Sequence, residues 1–404
     1  MTGPDVLVVG GGPAGSTVAG LLARRGWEVH LLDRAVFPRP KACGECINPG
    51  GVRTLERLGL LGVVRALGPR RITGWDVVTS GGRRARGRFG REVGPGLAVS
   101  RRRLDAALLG VARERGVAIE EGVRVQTVRP AEGEGRPWLR TGDGTIRRAR
   151  IVVGADGLRS VTARALGARP RSDGRRKLSL TLRLAGSGPP EDRGRLVLGP
   201  HGTVGLAPVG PSRWNATVVV DAGTHGRRVA VDPTAWALGL VRARIPDWDQ
   251  PPALVAGPWG SGNFRFPVPR AAGGGVVLVG DAAGYYDPLT GQGIFRAVRS
   301  AELAAHAIDT GLRRGRVSED LARAYSRRLA REFSSGRRVQ RLVELVVSTP
   351  ALRELFVGRL GGATGTMDAL VRVTGDARPG RSLLWPGVWG PLLLPGRSTP
   401  SRNR

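Results

Sequence analysis

"DVLVVGGGPAGSTVAGLLARRGWEVHLLDR", residues Asp5 to Arg34, decides the fold. Val6 to Val9 is a short apolar run suited to a parallel strand buried on both faces. Gly10, Gly12 and Gly15 follow as G-x-G-x-x-G, and small, helix-compatible residues run from Ser16 to Ala23. Gly26 is placed to stop that helix, and "EVHLLD" is a second strand ending in Asp33. Gly10 permits a tight turn, Gly12 admits close approach of a pyrophosphate, and Gly15 lets the helix sit against the strand. The helix N-terminus offers that pyrophosphate unpaired N–H groups and a favourable dipole. Asp33 stands where a carboxylate hydrogen-bonds ribose hydroxyls. Strand, glycines, helix, strand and acid together predict a βαβ dinucleotide site. The glycines alone would not, because the chain holds 63 of them.

Two later clusters repeat the theme. "RARIVVGADGLRSVTARALG" (Arg148 to Gly167) is a buried strand ending in Asp156-Gly157, with Ser160 opening a helix. "GGGVVLVGDAAGYYDPLTGQGIFRAVRSAELAAHAI" (Gly273 to Ile308) is a strand ending in Gly280-Asp281. A turn with Pro288, Gly291 and Gly293 leads from it into a long helix. One such cluster is an ordinary strand end with turn residues and caps. Three in this order are not.

The three motifs together resemble the FAD-dependent oxidoreductases of the aromatic-hydroxylase fold, a superfamily of flavoprotein monooxygenases, geranylgeranyl reductases and flavin-dependent halogenases. The resemblance covers most of residues 1–330. It implies an α/β fold: a Rossmann-like FAD-binding domain, an inserted antiparallel β-sheet substrate domain, and C-terminal helices. By resemblance, Gly10, Gly12 and Gly15 cradle the FAD pyrophosphate, Asp33 binds the adenosine ribose and Asp281 the ribityl hydroxyls. Gly293 and Ile294 present backbone N–H groups to the flavin pyrimidine ring, where a helix N-terminus stabilises the charge of the reduced ring. "VSRRRLDAAL" (Val99 to Leu108) matches the family's V-x-R-x-x-L-D-x-x-L and places Arg101 near the phosphates. Val125 falls where the family contacts adenine, and Asp156 on the cofactor and nicotinamide side of the cleft. Ala14, Arg34, Pro288 and Gly291 complete the expected cofactor surface.

The domain boundaries follow. Residues 1–70, 97–167 and 264–335 make a discontinuous FAD-binding domain. Residues 71–96 and 168–263 carry short alternating apolar runs such as "KLSLTLRL" and "WNATVVV", which fit a sheet over the substrate cavity. Residues 336–404 are a helical segment and an apolar tail. From Ser318 to Val347 the pattern is helical, opening on a Ser318 cap with an acidic first turn.

Both cysteines lie in "PKACGECINPGG", Pro40 to Gly51. Their spacing alone fits metal binding or disulfide exchange. A structural zinc needs four ligands, and no second pair exists; His30, His201, His225 and His306 show no ligand spacing. No metal is expected. A thioredoxin-like dithiol would sit at a helix N-terminus after a strand, whereas this pair follows the loop "FPRPKA". "K-x-C-G-E" resembles the C-G-E loop of the geranylgeranyl-reductase branch, which passes beside the isoalloxazine ring. That implies close backbone approach at Gly44, with Cys43 and Glu45 near the reaction cavity and Cys46 incidental.

The formal charge of +31 invites a nucleic-acid partner. Lys41 and Lys177 are the two lysines among 64 basic residues, and the arginines are spread along the whole chain. Aromatics make up 5% and do not interleave with them as a stacking platform requires. This is the composition of a GC-rich genome, and no specific nucleic-acid partner is expected. No apolar run approaches the roughly 20 residues that span a bilayer, and "MTGPDVLVVGGG" has no basic region before its apolar stretch. A cytoplasmic protein is expected; the apolar tail "RSLLWPGVWGPLLLPGRSTPSRNR" reads first as a strap packed over the catalytic domain, and second as a lid or lipid-facing anchor in peripheral contact with a membrane.

The chain shows no second strand-linked G-x-G-x-x-G, so NAD(P)H is expected to bind transiently as reductant. After G-Q-G the hydroxylases commonly carry L-N, and Ile294-Phe295 departs from that toward the reductase branch, as does C-G-E. The reductase-type Y-x-W-x-F-P is not clear, and the halogenase W-x-W-x-I-P is absent. The sequence favours a monooxygenase that hydroxylates a hydrophobic phenolic or polyketide-type secondary metabolite with NAD(P)H and O2. Reduction of isoprenoid double bonds is the runner-up; halogenation and a non-enzymatic basic binding module come last.

Overall fold

The apolar run after Asp5 becomes β1 (Val6–Val9), and every residue of it is buried. The computed structural model describes residues 3–169, 177–245, 247–262, 268–285, 291–315 and 317–393. β1 pairs in parallel with β2 (Val29–Asp33) and β12 (Ile151–Gly154). β2 extends to β8 (Ala118–Glu121), and β12 to β19 (Val276–Leu278) with the short antiparallel edge β18 (Ala272–Gly273). Side chains alternate across this sheet. Val6 and Val8 join a core with α1 (Pro13–Ala23), α4 (Arg101–Glu114), α8 (Gly293–Arg313) and α9 (Glu319–Glu332). Leu7 and Val9 face a meander of β9 (Val125–Arg129), β10 (Trp138–Thr141) and β11 (Ile146–Arg148), together with α5 (Val161–Ala165). Burial of each such side chain is worth about 2 kcal/mol, which makes this double-faced sheet the main scaffold.

A small sheet joins the cofactor half to the rest: β3 (Cys46–Ile47), β7 (Gly96–Ala98) and β4 (Arg70–Ile72). α2 (Pro49–Arg57) and α3 (Leu61–Ala66) lie between β3 and β4 in the chain. Beyond it stands a seven-stranded sheet. β17 (Ala253–Gly262), β13 (Lys177–Ala185), β16 (Arg213–Asp221), β15 (Gly202–Gly210) and β14 (Gly194–Gly199) run antiparallel in that order. β5 (Gly74–Thr79) and β6 (Arg84–Arg88) complete it. The β14–β5 pair is parallel, a departure from the all-antiparallel expectation. These two strands come from separate insertions, so no hairpin forces them antiparallel.

Alternation along the sheet assigns its faces. Leu180, Leu182 and Leu184 of β13 and Trp214, Ala216 and Val218 of β16 pack under α6 (Ala222–Val231) and α7 (Pro233–Arg244). The intervening Ser179, Thr181, Asn215 and Thr217 are also buried, on the opposite face toward the cofactor half. A buried row of hydrogen-bonding side chains requires partners on that face.

The helical pattern expected from Ser318 breaks in two. α9 carries the foreseen Ser318 cap, whose Oγ accepts from Leu321 N at 3.3 Å, with Glu319 and Asp320 in the first turn. It stops at the buried Phe333, and α10 (Ser334–Ser348) starts anew, because Phe333 is held in the core while Ser334, Ser335 and Gly336 are weak helix formers. α11 (Pro350–Gly362), α12 (Thr364–Thr374) and α13 (Pro386–Leu393) follow.

Candidate functional site

The three motif turns meet in space. A Cβ on Gly10, whose φ is +105°, would lie 2.5 Å from the Ala155 carbonyl oxygen beside Asp156. A Cβ on Gly15 would lie 1.8 Å from Gly10 O, and one on Gly280 2.9 Å from the Ala14 Cβ. Glycine is therefore required at each contact point, and the first helix, the D-G turn and the G-D turn form one floor. Gly12 is different: the nearest atoms to its Cβ position are the Arg39 and Arg101 guanidinium nitrogens, at 3.8 and 3.9 Å. Two cations face the glycine and the first turn of α1.

This cation cluster is built on buried acids. Arg101, at the start of α4, donates twice to the fully buried Asp105, through Nε at 2.6 Å and Nη2 at 2.8 Å. Burial works against the Arg101 charge, but Asp105 and Cys43 more than offset it, and its pKa rises. Arg39 Nη1 lies 3.3 Å from Asp105 Oδ2, yet makes no hydrogen bond. Lys41 stands beside Arg101 and Asp281; burial and Arg101 push its ammonium down. Among the described residues Lys41 forms no ion pair. Arg39 and Arg101 facing a glycine-lined helix start, with Lys41 beside the D-G turn, fit a pyrophosphate even though Asp33, Asp105 and Asp281 lie among them. Asp33 ends β2 as expected; its Oδ2 accepts from Gly11 N at 2.6 Å and its Oδ1 from Ala35 N at 2.8 Å. The residues present fit FAD: cations for the diphosphate, Asp33 at the ribose end and Asp281 farther along.

Farther along the cleft the C-G-E loop is gripped from both sides. Glu45 is 3% exposed and holds a φ of +57°, rare for a residue with a side chain. Its Oε1 accepts from Arg101 N at 2.8 Å, and its Oε2 pairs with Arg183 of β13. Burial pushes the Glu45 carboxyl up, and the Arg183 charge opposes it. Cys43 Sγ accepts from Glu45 N at 3.3 Å, while the Cys43 carbonyl accepts from Asn215 Nδ2 at 2.8 Å and Thr217 Oγ1 at 3.3 Å. The polar face of the large sheet therefore touches the loop directly. Both thiols are free, and burial pushes the Cys46 thiol up.

Past the loop an apolar crevice opens between Ile47, Ile72, Trp75 and Phe89, closed by Asn48, Gly291, Thr374 and Gly375. Two helices begin at its edge. Asn48 caps α2, its Oδ1 accepting from Gly51 N at 2.8 Å, and Gln292 precedes α8. A Cβ on Gly51 would lie 3.5 Å from the Phe295 Cα, so the two N-termini adjoin.

The expected residues fall unevenly on this frame. Gly10, Gly12, Ala14, Gly15, Asp33, Arg101 and Asp281 share the floor. Cys43, Gly44 and Glu45 form the loop; Gly291, Gly293 and Ile294 form the α8 start. Arg34 is exposed, and Val125 begins β9 near Val123, whose N–H donates to Asp33 O at 2.9 Å. Asp156 turns its carboxylate onto its own helix, accepting from Ser160 Oγ and from Val161 N at 2.7 Å. It is occupied as a cap. Pro288 lies outside the described residues. His201 and His225, separate in sequence, stack edge-on at 5.3 Å against α7, far from these residues in the fold. Among the described residues no three His, Cys, Asp or Glu gather as a metal site. Sequence reasoning missed Arg39 and Arg183; Lys41 was visible as the first residue of K-x-C-G-E.

Comparison with known proteins agrees with this geometry. The family described as "FAD binding domain" matches residues 4–334. The chain belongs to that family. This flavoprotein is an FAD-dependent oxidoreductase in the group of monooxygenases and geranylgeranyl reductases. It is 32% identical to a menaquinone reductase of Mycobacterium tuberculosis over 95% of each chain. It is 28% identical to a 6-methylpretetramide 4-monooxygenase of Streptomyces rimosus, over 80% of this chain and 58% of that one. Among solved structures, a flavin-dependent brominase matches with a TM-score of 0.76 and 19% identity, over 92% of this chain and 93% of the other. That likeness concerns the fold. Among the described residues no helix is long and apolar enough to cross a membrane.

Proposed function

We propose that this flavoprotein reduces a carbon–carbon double bond of an apolar, isoprenoid-bearing substrate of the menaquinone class, with NAD(P)H docking transiently as reductant. The observation that carries the reading is the Cys43–Glu45 loop, fixed between the cofactor cations and the polar wall of the substrate sheet and leading into an apolar crevice. Bound FAD, once reduced, supplies hydride to one carbon of the double bond. The chain must then supply a proton to the other carbon. Cys43 is the proton donor of the loop, and Arg101, which faces it, balances the thiolate left behind. Glu45 holds the loop in its left-handed turn through Arg183 and the Arg101 amide. Ile47, Ile72, Trp75 and Phe89 line a small apolar crevice behind the loop, which must widen to receive a hydrocarbon chain.

The sequence alone favoured hydroxylation of a phenolic metabolite. That second reading keeps the support of the Streptomyces relative, which matches over 58% of its own length, against 95% for the mycobacterial reductase. An isoprenoid substrate also accounts for the surface. Leu342 and Leu345 on α10, Leu352 and Leu355 on α11, and Leu384 and Trp385 in the turn after α12 are exposed, with Arg338, Arg341 and Arg381 exposed among them. Apolar side chains interspersed with arginine suit peripheral contact with an anionic lipid surface. The deciding experiment is product mass after turnover with NAD(P)H and a menaquinone-type substrate, with and without oxygen. A gain of two hydrogens that needs no oxygen supports reduction. A gain of one oxygen atom, lost without oxygen, overturns it in favour of hydroxylation.

A further inference from the structure

The C-terminal helices end on an unusual residue. Asp376 follows α12, is half-buried, and adopts a φ of +51°. Its Oδ2 accepts from Asn48 Nδ2 at 2.8 Å, and its Oδ1 accepts from Gln292 Nε2 at 3.0 Å. One carboxylate therefore joins the residues that open α2 and α8, the two helices whose N-termini border the crevice. The backbone strengthens the joint. Gly50 N donates to Gly375 O at 3.0 Å, and Arg53 Nη2 donates to Asp376 O at 2.8 Å. A Cβ on Gly50 would lie 2.6 Å from the Asp376 Cβ, so the contact tolerates no larger residue there.

We infer that Asp376 is a positioning residue of the flavin and substrate site: its ionised carboxylate clamps Asn48 to Gln292, sets the spacing of the two helix N-termini, and loosens its hold on them when it takes up a proton.

The chemistry follows from donor counting. An ionised carboxylate accepts from both amide groups at once. A neutral acid keeps one good acceptor and gains an O–H that needs an acceptor of its own. Asn48 cannot provide it by turning its amide, because its Oδ1 already caps α2 through Gly51 N. Protonation thus weakens the clamp: its two charge-assisted bonds become neutral ones, and Gln292 keeps its arm only by turning its amide to accept the new O–H. The charged groups acting on Asp376 are Arg53 of α2 and Arg296 of α8, and both favour the ionised form. Burial outweighs them and, against the Asn48 and Gln292 hydrogen bonds, raises the carboxyl to about 7, so the switch falls near neutral pH. The clamp is tightest above that value and loosened below it.

This inference rests on the FAD assignment only for its consequence at the ring, so the test carries one readout that needs no cofactor. Wild-type, Asp376→Asn and Asp376→Glu proteins are compared between about pH 5.5 and pH 8.5, a window that brackets the expected midpoint. Asparagine is nearly isosteric with aspartate and tolerates a left-handed conformation, so the first variant should fold. The first readout is amide-exchange protection in the first turns of α2 and α8, corrected for the intrinsic pH dependence of exchange. The second is the visible band of added FAD. In the wild type, protection should fall by roughly tenfold through a one-proton transition as pH drops, the scale expected for a charge-assisted hydrogen bond. The flavin band should shift with the same midpoint. Asp376→Asn should abolish both transitions, and Asp376→Glu should restore one at a displaced pH. Protection that is independent of pH in the wild type, or a transition that survives in Asp376→Asn, overturns the clamp. An exchange transition present in the wild type, lost in the variant, but without any flavin band supports the clamp and instead refutes the cofactor assignment.

Discussion

The two ends of the cleft solve opposite problems. At one end Arg39 and Arg101 face Gly12, underpinned by the buried Asp105, while Lys41 Nζ lies beside Gly157 of the D-G turn. At the other, Ile47, Ile72, Trp75 and Phe89 make a wall without charge, and one carboxylate lies behind it. The first end has its charges already desolvated and oriented, so a diphosphate can bind without reorganising them. The second offers only shape and dryness. On the proposed reading, affinity for the cofactor and selection of the substrate fall to separate residues, and each can be broken alone.

The largest break is expected at the floor. Gly15→Val would drive a side chain into the Gly10 carbonyl, at an overpacking cost of about 3 kcal/mol or more, and remove flavin altogether. The purified protein should be colourless; retention of stoichiometric FAD would refute the three-turn floor. Next comes Arg101→Ala, which strips Asp105 of its bidentate partner. Loss of one member of a buried pair costs about 3–5 kcal/mol, so thermal unfolding should move down and FAD affinity fall at least about 100-fold. Unchanged FAD affinity would show that Arg101 serves Asp105 alone.

Between the ends, Glu45→Gln keeps the shape of the loop and removes the charge that faces Arg183. Turnover should drop about tenfold to 100-fold while FAD affinity changes less than about threefold. A change in FAD affinity larger than the change in turnover would move Glu45 from the reaction end to the cofactor end. Trp75→Ala should act on the other side of the comparison: KM for an apolar substrate rises about tenfold with FAD binding intact. The smallest effect concerns the outer face. Leu345→Asp with Trp385→Ser should lower partition onto anionic vesicles about tenfold and leave turnover of a short, water-soluble substrate unchanged. Equal binding of both proteins to the vesicles would exclude that face.

The cofactor end was legible in the sequence because backbone geometry dictates it. A glycine touching a carbonyl, a strand buried on both faces and a serine capping a helix leave signatures in consecutive residues, as with Gly10 to Gly15 and Ser160. The exception is Asp156, where the same D-G signal marks a carboxylate consumed by its own helix cap. The substrate end was less legible. Arg183 meets Glu45 across 138 residues and Asp376 meets Asn48 across 328, and no local pattern announces either partner. The period-2 runs of β13 and β16 did carry one unused clue. Ser179, Thr181, Asn215 and Thr217 alternate with the apolar residues, and such a polar row, once buried, requires hydrogen-bond partners. The break at Phe333 was hidden for a different reason: helical periodicity continues through it, and the core contact of that ring combines with the weak helix formers after it to stop α9.

The grip of β16 on the Cys43 carbonyl also bears on how such enzymes can be recombined. Asn215 and Thr217 belong to the inserted sheet, yet the group they hold belongs to the nucleotide-binding half. A graft that exchanges the sheet for that of another flavoprotein, in order to import a new specificity, would leave this carbonyl without its donors. Residues 43–45 and the two donor positions form one transplantable unit, although the chain writes them 170 residues apart.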